Sequence, residues 1–301
     1  MPDPRLSELA HPQRDRLAYI ELRLWFVGEV RRQDLADRFA IRSAAATRDL
    51  ALYREWAPNN IAYDARSKVY RTGKAFTPLF DFPVERVLAW VAEGFGDGDP
   101  VNSQAGIACA VPRRLAQPNL NTLAAVTRAI SHGCPLRITY HSVSSGRSRR
   151  EIIPHALIDT GLRWHVRAFD RKTKNFRDFV ITRILSPEVL HDGEVAPSER
   201  PGEDVQWTRI VEVQLVPHPD RPHPEITEMD YSMRNGAMTV RVRAATSGYA
   251  LRSWSVDCSS DHRLEGPEFR LWLSNPLALY DVESARLAPG YSPPASRMSA
   301  R

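Results

Sequence analysis

Several things are scarce or missing in this 301-residue sequence, and each shortage removes a class of protein. It has 3 cysteines, Cys109, Cys134 and Cys258. They are odd in number and far apart, so they form neither a disulfide framework nor a C-x-x-C metal clip, and a reduced compartment suits them. No uninterrupted apolar run approaches the roughly 18–20 residues that a spanning helix needs. The opening MPDPRLSELAHPQRDR carries prolines and acids where a signal peptide needs an apolar stretch, so a soluble, cytoplasmic chain is expected. Catalytic signatures are missing too. Ser144 and Ser145 lack a flanking G-x-S-x-G. His141, His155 and His165 lack a partnering cysteine or an H-x-x-x-H spacing that would suit zinc. What remains is 43% hydrophobic and 26% charged, the balance of a globular protein long enough for two or three domains. No catalytic residue, metal or cofactor is expected.

Charge is unevenly placed. Residues 1 to 75 hold fourteen basic and ten acidic residues, a net +4, and residues 136 to 190 hold eleven against five, a net +6. The stretch between them is −1, and residues 191 to 301 are −4 with twelve basic and sixteen acidic residues. Two separated basic segments point to two anion-binding surfaces.

In the first basic segment, Leu17, Ile20 and Leu24 recur with helical period and Gly28 ends the run. A short helix, VRRQDLADRF, leads through Ala40, Ile41 and Arg42 to AAATRDLALYRE, with Ser43 placed as its N-cap. Two helices joined by a three-residue turn make a helix-turn-helix, and NIAYDARSKVYR, folded about residues 64 to 67, adds a hairpin wing. Small residues at the start of a recognition helix let its backbone enter the major groove, and Ala44 and Ala45 supply them. Ser43, Thr47 and Arg48 then face the DNA, with Arg42, Arg66, Lys68 and Arg71 along the phosphates. A helical bundle that docks protein fits the same pattern.

Residues 76 to 134 read as a helical connector. Val84, Val87, Leu88 and Val91 share one helical face, FGDGDPVNSQAG is a loop, and Leu120, Leu123, Ala124, Thr127 and Ile130 share another face. From Pro135 the period becomes two. Leu136, Ile138 and Tyr140 alternate with Arg137, Thr139 and His141, and EIIPHALID, LRWHVRAFD and FRDFVITRI follow at the short intervals of a small sheet or barrel. In the third of these strands, Trp164, Val166 and Ala168 point to a core and His165 and Arg167 to the opposite face. His141, Ser142, Ser144, Ser145, Arg150, His155, Arg177 and Arg183 converge on that cationic face in this reading, and Tyr140 or Phe179 stacks a base, as an anionic ligand with phosphates and rings requires. The alternatives are surface pairing of Arg167, Arg177 and Arg183 with Asp170 and Asp178, and a core role for Trp164.

At RWHVRAFD the sequence resembles the WYL-domain regulators, with Trp164, His165 and Val166 in the place of the triplet that names them. Tyr140, Ser145, Gly146, Arg150 and Pro154, and Arg177, Phe179, Arg183 and Ile184 in an R-x-F-x-x-x-R-I stretch, carry the same resemblance. The His in the triplet and the Pro154-His155 pair most resemble the BrxR and CapW type, which regulates phage-defence islands. The resemblance implies an α+β multidomain protein: a winged helix-turn-helix over residues 1–75, the connector, an Sm-like β-barrel WYL domain over 135–192, and a C-terminal α+β dimerisation extension over 205–290. It implies a homodimeric repressor of a defence operon, bound to an inverted repeat of double-stranded DNA and released by a nucleotide or single-stranded nucleic acid. A WYL-type activator and a metal-dependent nucleic-acid-processing enzyme remain open, although the acids near the basic segments, Asp159, Asp170 and Asp178, are scattered. In the C-terminal segment VEVQLV and MTVRVRA read as strands, SGYALRSWSVD as a helix, and the tail from Pro289 as disordered.

Overall fold

The structure, a computed structural model, describes residues 3–93, 110 and 114–293. The loop expected over 95–106 and Cys109 lie outside them. The chain divides into two compact units, one within residues 1–112 and the other within 113–301.

In the first unit, α1 (His11–Leu22) runs into a wider turn over Arg23–Val27, and Gly28 ends it at φ 88°. A short strand β1 (Glu29–Val30) precedes α2 (Arg32–Phe39) and α3 (Ser43–Trp56), and the turn between these helices opens with Ala40 at φ 50°. Strands β2 (Ile61–Asp64) and β3 (Val69–Thr72) form the expected hairpin, and β1 joins it in the order β1-β3-β2. The predicted Leu17, Ile20 and Leu24 stripe is buried with Leu35, Leu50 and Tyr53. Helix α4 (Val84–Glu93) adds Val87 to this same core, while Val84 and Leu88, expected beside it, are exposed.

A buried carboxylate holds this unit together. Glu21 on α1 accepts the Tyr53 hydroxyl of α3 and the backbone amides of Leu79 and Phe80, each at 2.8 Å. Asn60 donates to the Tyr53 hydroxyl at 3.1 Å and to the Thr77 carbonyl at 2.7 Å. Burial pushes the Glu21 carboxyl above its ordinary value, and these donors oppose the shift. The segment after the wing is thereby fastened to the helices.

The second unit begins with α5 (Leu120–His132), capped by the Asn119 side chain and closed by Gly133 at φ 64°. Strands β4 (Leu136–Ser142), β5 (Gly146–Asp159), β6 (Trp164–Asp170), β7 (Asn175–Val180) and β8 (Ile184–Val189) follow. They form an antiparallel sheet ordered β7-β6-β5-β4-β8. With β7 and β8 at its two edges the sheet is open, and the expected Sm-like barrel is not closed. Pro154, which has no N–H to give, sits where the β5–β6 register shifts. Helix α5 lies on the sheet through Ala125, Val126 and Ala129, against Leu136, Ile138, Ile152, Val166 and Ala168. Its inward face is thus offset from the predicted one, and Leu120 is exposed, because the small residues permit the closest approach.

The C-terminal part holds α6 (Val205–Thr208), β9 (Ile210–Pro217), α7 (Pro224–Asp230), β10 (Met238–Arg243), α8 (Ala244–Ser253), β11 (Val256–Asp257) and β12 (Leu271–Leu273). Its sheet runs β10-β9-β12-β11. The core is Val211, Val213 and Leu215 with Leu251, Leu271 and Leu273. The predicted helix begins earlier than read, directly after β10, and Val256 falls in a strand. The tail is fixed as far as residue 293: Cys258 donates to the Pro289 carbonyl at 2.8 Å and Tyr291 to the Leu279 carbonyl at 3.2 Å. Among the described residues no helix is long and apolar enough to cross a membrane.

Tyr53→Phe removes one donor from a buried carboxylate and should cost the first unit about 1–3 kcal/mol. Denaturant unfolding of wild type and variant checks it; an unchanged midpoint would remove Glu21 from its central place.

Candidate nucleic-acid interface and anion cavity

Helix α3 presents Arg42, Ser43, Ala44, Thr47 and Arg48 to solvent, while Ala46, Asp49 and Leu50 face inward and Ala45 is half-buried. Arg42, not Ser43, is the N-cap: it is extended, and its carbonyl accepts from Ala45 at 2.8 Å. Ser43 already belongs to the first turn. The Thr47 hydroxyl is turned back to the Ser43 carbonyl at 2.9 Å. Asp49 anchors the inner face of the helix, taking Arg16 at 2.6 Å and Gln13 at 3.2 Å. On the wing, Asp64 accepts the Arg66 and Ser67 amides, which tightens the turn and leaves Arg66 and Lys68 exposed. Arg71 is exposed beside Asp64 and Glu29, at 3.5 and 3.9 Å. All nine residues expected at DNA thus lie on α3 and the wing. Sequence reading missed exposed Tyr63, whose ring lies 4.7 Å from that of Tyr70.

In the second unit the alternation along β6 is as expected, but both faces are covered. Val166 and Ala168 enter the sheet core; His165 and Arg167 are buried as well, only 5% and 3% exposed. Arg167 Nε and Nη2 grip the Asp204 carboxylate at 2.8 and 2.9 Å, and Nη1 reaches Asp178 at 3.1 Å. His155 Nε2 lies 3.1 Å from Asp204. Burial would push Asp204 up, yet Arg167 and His155 bring it down to about 2. Arg167 is therefore an internal ion-pair centre and not the open anion contact expected of it.

Two further expected ligand residues, Phe179 and Arg150, are taken up by burial or pairing. Phe179 is a core residue, 2% exposed, so it stacks no base. Tyr140 meets it edge-on and accepts the Val180 amide at 3.2 Å. Arg150 is paired with Asp170 and bonds Ser148 at 3.1 Å. His141 is exposed near the β4–β5 turn, where Ser142 accepts the Ser144 and Ser145 amides at 3.3 Å. These four residues lie at the end of β4 and in the turn after it and do not line the cavities described next.

A cavity of about 570 Å³ brings Tyr140, His165 and Arg183 together with four residues that sequence reading missed: Arg163, Tyr249, Arg252 and Arg286. Arg163 lies in the loop before β6 and Arg183 in the turn Ile181–Arg183 between β7 and β8, while α8 supplies Tyr249 and Arg252 and the turn Glu283–Leu287 supplies Arg286. Among the described residues none of the four arginine side chains has a hydrogen bond or an ion pair. The Nδ1 of His165 is likewise buried without a partner. Burial holds the His165 imidazole below its ordinary value; Asp178 opposes this, and the charge of Arg163 and Arg183 adds to it. Tyr249 donates to Asp178 at 3.0 Å, and burial together with that carboxylate pushes the phenol up. A second cavity of about 390 Å³ includes Arg177 and shares Asp178, Tyr249 and Arg286 with the first. The spacing of α8 from the Glu283–Leu287 turn is set at Gly248, where a Cβ would lie 1.7 Å from the Ser284 carbonyl oxygen. Four guanidinium groups without an ion pair among the described residues, two of them exposed, line this cavity with one carboxylate, Asp178, a net positive lining that favours an anion.

Three family models match the chain: the BrxR transcriptional regulator winged helix-turn-helix domain over residues 12–93, the WYL domain over 121–189, and the BrxR transcriptional regulator C-terminal dimerization domain over 210–279. The DNA-binding transcriptional repressor CapW of Escherichia coli (strain KTE188) is 30% identical over 278 residues, covering 89% of this chain and 91% of that protein. CapW of Pseudomonas aeruginosa is 32% identical over 265 residues, with 85% and 86% covered. A solved structure, the proteasome accessory factor B/C (PafBC) of Arthrobacter aurescens, aligns at 19% identity and a TM-score of 0.29 over 91% of this chain. The chain spans only 45% of that one, a likeness too low to bear on the fold.

Paired and unpaired arginines should respond differently to truncation. Arg167→Met leaves Asp204 buried without its cation and should cost about 3–5 kcal/mol in urea unfolding. Arg252→Ala should change the same midpoint by less than about 0.5 kcal/mol. Equal effects would erase the distinction.

Proposed function

The chain belongs to the family of DNA-binding transcriptional repressors that includes the CapW proteins, and from that premise we propose that it is an effector-released repressor of a defence operon. Its family is one of regulators rather than enzymes, and it carries the C-terminal dimerization domain, so the functional form is a homodimer on double-stranded DNA. Two-fold symmetry in the protein calls for an inverted repeat, with half-sites about 34–36 Å apart or a multiple of that. Arg42, Ser43, Ala44, Ala45, Thr47 and Arg48 enter the major groove, and Arg66, Lys68 and Arg71 follow the phosphates.

The effector is an anion, a nucleotide or a short single-stranded nucleic acid, held by Arg163, Arg183, Arg252 and Arg286. The observation that carries this reading is the convergence of those four unpaired guanidinium groups on one cavity. Because two of them come from the connections between strands of the sheet and two from the C-terminal part, a bound polyanion draws on both. Release follows if the effector prefers the non-binding arrangement by about 2–3 kcal/mol, a switch of tens to hundreds of fold.

Fluorescence anisotropy with the protein's own upstream DNA tests the reading. Binding should be selective over random duplex and weaken steeply with salt, and Arg66→Ala should lower the salt slope by about one. Added single-stranded oligonucleotide should relieve binding by the wild type and not by Arg183→Ala. Absence of selectivity would turn the winged helix into a protein-docking module.

A further inference from the structure

An effector with rings needs an aromatic surface as well as cations, and the two side chains expected to provide it, Tyr140 and Phe179, are buried. A different aromatic stands next to the arginine cavity. Trp254 follows the last turn of α8, its amide donating to the Ala250 carbonyl at 2.9 Å, and its side chain is 38% exposed. It lines a separate cleft of about 560 Å³ with Trp207, Arg241 and Arg243. This cleft and the arginine cavity share Thr160, Gly161, Tyr249 and Ser253. The end of α8 thus places Arg252 on the first cavity and Trp254 on the second, with Ser253 on both.

The two tryptophans of the cleft differ in what already occupies them. The Arg243 guanidinium sits 4.6 Å from the centre of the Trp207 ring, and His155 meets that ring edge-on at 5.4 Å. Trp254 makes no ring or cation contact among the described residues. An exposed indole face gains free energy when apolar surface covers it, and a flat ring adds stacking geometry to that gain.

We propose that Trp254 is the stacking platform for a nucleobase of the effector whose phosphates occupy the neighbouring arginine cavity. The inference rests on the anionic-effector reading above and adds to it a base-binding subsite in the C-terminal part. A base has a π-face whatever its identity, so the subsite tolerates sequence while rejecting polyanions without bases, such as polyphosphate. Arg241, which pairs with Glu212 at 3.4 Å, and Arg243, which donates to the Trp207 carbonyl at 2.7 Å, also line the cleft.

The test is isothermal titration of the full-length homodimer with two probes of equal charge, a 5′-phosphorylated thymidine trinucleotide and its abasic counterpart. Wild type should prefer the thymidine probe by about tenfold or more. Trp254→Ala should bind both probes with the abasic affinity, and Trp254→Phe should restore most of the preference. Preference retained in Trp254→Ala, or an equal loss for both probes, overturns the base platform while leaving the anion site standing. If wild type binds neither probe, the anionic-effector reading fails and the platform fails with it.

Discussion

The second unit depends on one buried guanidinium. Arg167 leaves the sheet on the face opposite the core and meets a carboxylate that arrives 37 residues later, just before β9. Three of its nitrogens are engaged, and Asp178 and Asp204 between them recruit Tyr249 and His155. Removing such a charge from water is costly, and only near-complete pairing offsets the loss. The return is positional: β7 and the cap of α6 bond directly to one planar group, and β5 and α8 bond to its two carboxylate partners, so the sheet and the C-terminal part share one ion-pair joint.

That joint explains why the unpaired arginines matter. A protein that pairs Arg150, Arg167 and Arg171 internally has the acids to pair others, yet Arg163, Arg183, Arg252 and Arg286 stand around a cavity without them. In the effector reading proposed above, an anion bound there would touch groups from both sides of the joint. The DNA-binding unit has its own counterpart, the Glu21 carboxylate, which fastens α1, α3 and the chain beyond the wing into one body.

Much of this was legible in the sequence. Period gave the helix-turn-helix, the wing and the alternation of β6, because each depends on residues close together in the chain. What could not be read was the cover over His165 and Arg167. Alternation shows that a face is polar but not that another segment will bury it, and the partner Asp204 lies in a stretch without strong periodicity. A local signal was present: Asp204 is an N-cap, accepting the Trp207 amide at 3.1 Å. Arg252 and Arg286 were missed because the C-terminal segment is acidic on average, and a net charge hides where single cations fall. Phe179 was misread for the opposite reason, since an aromatic beside arginines looks like a stacking surface until the sheet closes over it.

Gly248 never faces the cavity, yet it governs the distance between two of the cavity's cations. With 1.7 Å where a methyl group would need to sit, α8 and the Glu283–Leu287 turn touch backbone to backbone, and Arg252 and Arg286 inherit their separation from that contact. The width of this part of the cavity is then set partly by a residue with no side chain. Any side chain at position 248 would have to force these two backbone segments apart, so this packing admits only glycine there.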